Sequence, residues 1–514
     1  MTDTAAPTSA AFVWTRRHVL ALAVLCLAAL LDTVDVTVVN VAMPAIRDSL
    51  HFSESGLAWM VNAYMVPFGG FLLLGGRAGD LLGRRRVLVG GTSAFTLASL
   101  GSALAPTAGV MVATRAAEGL AAAFVVPMTL ALLSSVFPAG PARNRAFAIW
   151  GGVSAAAGTL GLILGGVLVT AVGWRWIFLV NIPVGAVVVA AALRLLPARD
   201  GAQASSGAVA GSGAVAGSGA VAGRDGSGQR GRFDAGGALS VTAGTSLLAY
   251  AVVQTGSHGW GSARTIALLA AAAALIGYFV LHERFVARSP LMPLALWRNR
   301  SVSGANAVSA LVASALFAVF YSTTLYMQQV LHYSALRTGL AYVPFGFSIL
   351  VAAAVAPAVV SLAGIRAATI TGALAALTGF VLLARIPADG HLVTDIILPT
   401  VVVGLGGGLM IVPTSIAAMS GVDAARHGVA SALLNVSRQL GGALGLAAIS
   451  TVVASSTARS AASGHSAPVA LTAGFHTGFL VSAALVAVSV VTAAGLLRDE
   501  GRGQRVNLVE LQAG

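Results

Sequence analysis

Residues 18–43 read HVLALAVLCLAALLDTVDVTVVNVAM, an apolar run that follows Arg16 and Arg17 and whose only carboxylates are Asp32 and Asp35. About 20 apolar residues, rising 1.5 Å each, make a helix long enough to cross a bilayer. A charged group near the centre of such a helix costs about 2.5–3.5 kcal/mol on insertion scales, so acids kept there are candidates for function. A structural pair, or a water-facing cap near the helix end, is the competing reading. Two arginines before an apolar run also resemble a secretory signal, but the acids interrupt it and no small-residue cleavage site follows, so the run reads as a retained first span. Cys26, the single cysteine, sits inside it, forms no intrachain disulfide and reads as packing.

Composition extends this reading to the whole chain. Of 514 residues, 57% are hydrophobic and 9% charged, whereas charged residues make up about a quarter of a soluble protein. The chain is therefore an integral membrane protein. Windows of about 20 apolar residues place six spans near 19–43, 55–74, 87–105, 109–133, 145–170 and 176–196. Eight more follow near 236–254, 264–282, 302–330, 338–361, 365–386, 394–418, 428–453 and 474–497. The expectation is fourteen transmembrane helices. Between the two series, residues 198–233 repeat Gly-Ser-Gly-Ala-Val-Ala at 211–216 and 217–222; such low-complexity sequence buries no core and reads as a flexible linker.

The net charge of +13 raises the question of nucleic acid. Position answers it. All 30 basic residues are Arg: 22 fall in alternate short loops, the linker and the two termini, 6 on the opposite side, and Arg115 and Arg438 lie within spans. That is the positive-inside pattern, not a basic patch with interleaved aromatics, so no nucleic-acid partner is expected and both termini are expected in the cytoplasm. With no Lys in the chain, a phosphate-loop ATPase is excluded, and no paired-histidine metal spacing or nucleophile elbow is present. Neither an enzyme, a cofactor nor a metal is expected.

After the second span comes Gly75-Gly76-Arg77-Ala78-Gly79-Asp80-Leu81-Leu82-Gly83-Arg84-Arg85-Arg86-Val87. So tight a connection between two helices needs glycines where backbones approach and turn, and Asp80 is placed to pair with a loop arginine or to cap a helix. Gly76, Gly79, Asp80, Gly83, Arg84 and Arg85 are the candidate gating residues.

This loop resembles the cytoplasmic loop signature of the major facilitator superfamily, and three further stretches resemble its fourteen-span drug:proton antiporters of the quaternary-ammonium or multidrug-resistance type. Leu31 to Pro44, with Asp35-Val36-Thr37-Val38-Val39-Asn40 at its core, is similar to that group's first-span signature, with Asp35 at the position of the family acid and Asp32 an extra one a turn earlier. Trp174-Arg175-Trp176-Ile177-Phe178-Leu179-Val180-Asn181-Ile182-Pro183 resembles its entry into span six, and Arg438-Gln439-Leu440-Gly441-Gly442-Ala443 its thirteenth span. Two departures stand out. Glu118 occupies the place of the usual glutamine in Arg115-Ala116-Ala117-Glu118-Gly119, and Leu162 the place of the proline in the glycine-rich fifth-span signature. The second weakens the case for antiport and leaves transport direction open, because the glycines of that span also serve close helix packing.

The resemblance implies an all-α integral membrane fold of two six-helix bundles with an extra central helix pair. Its expected divisions are an N-terminal bundle over 1–197, the linker over 198–233, the extra pair over 234–282, a cytoplasmic loop over 283–300, a C-terminal bundle over 301–497 and a tail over 498–514. It further implies a monomeric protein of the bacterial inner membrane that exchanges amphipathic drugs for protons by alternating access. A dedicated exporter or uptake permease for one metabolite, and a membrane sensor that has lost transport, are the alternatives.

Depth tests whether the intramembrane charges can meet. Counted at 1.5 Å per residue, Arg115 and Glu118 lie about 9 and 14 Å from one membrane face, and Asp35 and Asp32 about 12 and 17 Å from the same face. The four can share a site. An acid facing a cavity, with an arginine that stabilises its ionised form, is what proton exchange needs; an inert ion-pair cluster is the alternative. Arg438 lies near the middle of its span, where it either binds substrate or braces the bundle. Asn62, Tyr64, Tyr326 and Gln328 complete the candidate substrate contacts.

Overall fold

The computed structural model describes residues 14–138, 141–197, 235–286, 294–422 and 427–498. The linker expected over 198–233, the tail beyond 498 and the middle of the 283–300 loop lie outside them. Among the described residues the regular structure is helical throughout. In chain order the helices are α1 (Arg16–Leu50), α2 (Glu54–Leu57), α3 (Trp59–Leu82), α4 (Arg84–Ala103), α5 (Ala108–Val136), α6 (Pro141–Ala171), α7 (Trp176–Leu179), α8 (Asn181–Leu195), α9 (Ala235–His258) and α10 (Ala263–Phe285). They continue with α11 (Arg300–Leu325), α12 (Ala335–Ala341), α13 (Val343–Ala363), α14 (Ile365–Leu383), α15 (Leu398–Met419), α16 (His427–Ala462) and α17 (Ala467–Leu496). Among the described residues, eleven helical stretches are long and apolar enough to cross a membrane. α3, α4 and α9, at 24, 20 and 24 residues, fall outside that set.

Local chemistry sets the helix ends. Thr15 and His18 form a reciprocal capping box at the start of α1, and Thr107, Ser262 and Asn299 accept backbone N–H bonds at the starts of α5, α10 and α11. Gly83, with φ 92°, ends α3 and opens α4; Gly364, with φ 88°, does the same between α13 and α14. Side-chain-bearing residues rarely adopt this backbone, so each turn requires glycine.

The two series of helices repeat each other. His51 and His332 both leave a long helix in the left-handed conformation, Ser53 and Ser334 both cap the short helix that follows, and Gly83 and Gly364 stand at the same offset. Matching turns at one constant spacing indicate a duplicated unit, here in parallel orientation.

Each half packs through small residues, as helices in lipid do. Gly75 and Gly119 bring α3 and α5 backbone to backbone; Gly161 and Gly165 seat α6 on Val34, Thr37 and Val38 of α1. In the second half Gly372 and Gly406 face each other across α14 and α15, and Gly441 and Gly445 press α16 onto α11. α9 and α10 pack on each other, and α9 also rests on α3 and α16.

The halves meet along α3 and α16, where a Cβ on Gly69 would stand 3.1 Å from Leu440, and they close most tightly at one end. A Cβ on Gly166 would stand 2.7 Å from the Ala335 carbonyl oxygen, Gly339 abuts the Leu162 carbonyl, and Gln328 Nε2 donates to the Val41 carbonyl at 2.9 Å. A small void of about 20 Å³ lies there, between Arg47, Leu57, Tyr321 and Phe475. Toward the opposite end of α6, Gly151, Gly152 and Gly158 have nothing within 4 Å of a Cβ. The molecule is sealed where α1 finishes and splayed where it begins.

Candidate functional site

Four helices of the first half converge on a buried charged cluster. α1 supplies Asp35, α4 supplies Ser99 and Ser102, α5 supplies Arg115 and Glu118, and α8 supplies Asn181. Asp35 and Glu118 are fully buried and Arg115 is 1% exposed. Arg115 Nη1 donates to Asp35 Oδ2 at 2.5 Å and to Glu118 Oε2; its Nε donates to the Met60 carbonyl at 3.2 Å. The remaining carboxylate oxygens are also engaged. Asn181 Nδ2 donates to Asp35 Oδ1 at 2.9 Å, and Ser102 Oγ to Glu118 Oε1 at 2.9 Å. Ser99 Oγ accepts a second bond from Asn181 at 3.2 Å.

Aromatic rings cover the guanidinium. Its central carbon lies 4.6 Å from the Tyr64 ring centroid and 5.8 Å from that of Phe178, an arrangement favourable for a cation in a low-dielectric setting. Tyr64 then reaches outward, its hydroxyl donating to Asp32 Oδ1. Asp32 is half-buried and makes no bond to Arg115. The expectation that all four charged groups meet is thus met by three, and Asp32 joins them through the Tyr64 phenol. Asp32 and Asp35 are three apart and share a face of α1, but Tyr64 engages the first carboxylate while Arg115 and Asn181 hold the second.

The substrate candidates divide. Tyr64 and Tyr326 are fully buried, the first committed to Asp32 and the second donating to the Pro387 carbonyl at 2.5 Å. Gln328 spans the seal between the halves. The two phenols present no free donor in this conformation, because each is already held by a protein acceptor. Asn62 is fully buried with neither amide atom hydrogen-bonded. Arg438 is exposed and, among the described residues, makes no hydrogen bond or ion pair; Asn435, a turn earlier, is exposed beside it. α16 is flanked by α3, α9, α11 and α17.

In the glycine-rich loop, Arg84 Nη1 donates to the Ala131 carbonyl at 3.2 Å and to Ser135 Oγ at 2.6 Å, and Arg85 donates to the Leu193 carbonyl. These bonds tie the start of α4 to the far ends of α5 and α8. A Cβ on Gly79 would run into Met128, whereas one on Gly76 would meet only Pro127 at 3.9 Å. The side chains of Arg77 and Asp80, and with them the expected Asp80–arginine pair, lie outside the described residues.

Sequence reasoning missed Asn181, Ser99 and Ser102. Ser99 and Ser102 are three apart and share a helix face, and Asn181 is the polar residue that opens α8; each signal was present, but its partner lies on another helix.

A model of the Major Facilitator Superfamily matches residues 25–446. The chain belongs to this superfamily. It is accordingly a multi-pass membrane transporter of small molecules and not an enzyme. It is 35% identical over 475 residues to the cephamycin export protein of Amycolatopsis lactamdurans, covering 92% of this chain and 91% of that protein. The puromycin resistance protein of Streptomyces alboniger is 34% identical over 476 residues, with 92% and 89% covered. Among solved structures, a single-residue mutant of the nucleoside transporter NupG shares the fold with a TM-score of 0.63 at 13% identity, covering 93% of this chain and all of that one. A bacterial homolog of the human lysosomal transporter Spinster gives 0.62 at 13% identity, with 94% and 97% covered.

Proposed function

We propose that this member of the superfamily is a fourteen-span exporter that drives amphipathic antibiotics or drugs out of the cell in exchange for protons. The observation that carries the proposal is the enclosed cluster of Asp35, Glu118 and Arg115. Two carboxylates and one guanidinium sealed from water hold a net negative charge unless a proton joins them, and an uncompensated charge in an apolar interior is costly. The cluster therefore works best holding one exchangeable proton. Asp35 and Glu118 share it under the control of Arg115, and the half-buried Asp32, through Tyr64, is its route to the cavity. One charge moving through 100 mV is worth about 2.3 kcal/mol, enough for roughly a fifty-fold gradient of cargo.

Fourteen crossings require α3, α4 and α9 to span with the eleven other stretches, which their lengths of about 30–36 Å at 1.5 Å per residue permit. On this reading the N-terminal bundle runs to 197, the extra pair covers 234–282 and the C-terminal bundle 301–497. Both termini and the linker face the cytoplasm, as the arginine distribution supports. The splayed end then opens inward, and cargo enters between the halves, where Arg438 and Asn435 are exposed. Rocking about the sealed end gives alternating access, with the arginines of the 75–87 loop holding the first half together as one body. The protein acts as a monomer.

The relatives' names favour a narrower variant, a pump dedicated to one antibiotic. A panel of structurally unrelated dyes and antibiotics separates the two. The central test is efflux from inverted vesicles with and without a pH gradient: dye accumulation that collapses when the gradient is discharged, and is lost in Asp35→Asn, is the expected result. Equal pumping by that variant and the parent overturns the proton-site assignment.

A further inference from the structure

α9 presses onto α3 near mid-membrane, where a Cβ on Gly70 would stand 2.7 Å from Thr242 Oγ1. From there toward the Trp59 end the two helices diverge, and a cavity of about 370 Å³ opens between α3, α5 and α9. Its walls are apolar, with Val66, Pro67, Val112, Ala116 and Leu247 among them. Trp59 and Tyr250 stand together at its mouth, ring centroids 5.9 Å apart. The Tyr250 hydroxyl accepts from Arg264 Nη2 at 3.2 Å and from Gln254 Nε2 at 2.6 Å. Arg264 Nη1 lies 3.4 Å from His258 Nε2, and among the described residues Arg264 meets no carboxylate.

The cavity is thus a greasy shaft with a cationic rim. From Trp59 to Pro67 it descends about 12 Å at 1.5 Å per residue, close to the roughly 15 Å of hydrocarbon in one leaflet. On the fourteen-span reading proposed above, on which this inference rests, its walls are faces of membrane-spanning helices, so what reaches it laterally is the bilayer. Aromatic residues at the mouth and a basic group beyond them match the order of acyl chain, interface and phosphate in a lipid. We propose that this groove binds one anionic phospholipid, its phosphate at Arg264 and an acyl chain along the shaft, filling the gap between the α9–α10 pair and the first half. The extra helix pair then serves as a lipid-holding flank. This assignment does not depend on proton coupling or on the cargo.

Native mass spectrometry of the full-length protein in mild detergent, titrated with phosphatidylglycerol or phosphatidylcholine, tests it. The parent should show one saturable tight site preferring phosphatidylglycerol by about fivefold, the scale of one arginine near a charged lipid surface. Arg264→Gln should erase that preference while leaving phosphatidylcholine binding in place. Ala243→Trp, which fills the shaft, should weaken the site at least about tenfold for both lipids, whereas Leu281→Trp, on an exposed face of α10, should change nothing. If Ala243→Trp does not fold, Arg264→Gln decides alone. The proposal fails if the parent has no saturable site or if Arg264→Gln keeps the preference. It also fails if Ala243→Trp changes the number of subunits instead of lipid uptake, which would make the groove a contact between two copies.

Discussion

The two halves of this transporter repeat each other's turns yet handle charge in opposite ways. In the first half Arg115 is enclosed, and every carboxylate oxygen around it accepts a hydrogen bond from Arg115, Asn181 or Ser102. In the second, Arg438 lies near the middle of a long helix with an exposed side chain and no partner among the described residues. An arginine without an acceptor inside a membrane helix needs water or a ligand. A duplicated scaffold has thus been divided: one half confines charge, the other presents it.

Substitutions at the two arginines test that contrast most severely. Arg115→Ala strands two buried carboxylates, and breaking such a cluster by removing one partner costs about 3–5 kcal/mol; thermal unfolding of the purified protein should fall sharply or the variant should fail to accumulate. Arg115→Lys keeps the charge without the planar fork that reaches both acids and the Met60 carbonyl, so it should fold but lose most uphill transport in vesicles. Next in size is Gly119→Ala, whose methyl would collide with the Tyr64 backbone and should cost about 1–3 kcal/mol by overpacking. Gly152→Ala, with open space around it, is the matched control and should unfold at the parent temperature. Smallest in stability is Arg438→Gln, expected within about 0.5 kcal/mol of the parent while raising KM for anionic cargo. Unchanged KM across anionic, neutral and cationic cargo would show that the exposed arginine does not meet the transported molecule.

Much of this was legible in the chain. Apolar runs and the scarcity of charge gave the membrane class and the approximate helix positions because the bilayer imposes length and composition directly. Depth counting brought Asp35, Arg115 and Glu118 to one level because helical rise is nearly invariant. It could not give azimuth. That is why Asp32, at the same general depth, ended on the far side of Tyr64, and why Tyr64 and Tyr326, read as cargo contacts, are buried with their hydroxyls on protein acceptors. Asn181, Ser99 and Ser102 stayed hidden because a polar residue in an apolar run announces that it needs a partner, not which one. Leu162, noted for the proline it replaces, proved to lie where the two halves touch, its carbonyl against Gly339.

That contact bears on how hard the molecule is to turn inside out. The named contacts of the closed end are glycine-lined backbone surfaces and a single amide bond from Gln328, with no ion pair among them. Parting such surfaces strands no charge, and lipid or water can replace what is lost. A latch of this kind strands no polar group when it parts, which suits the alternating access proposed above.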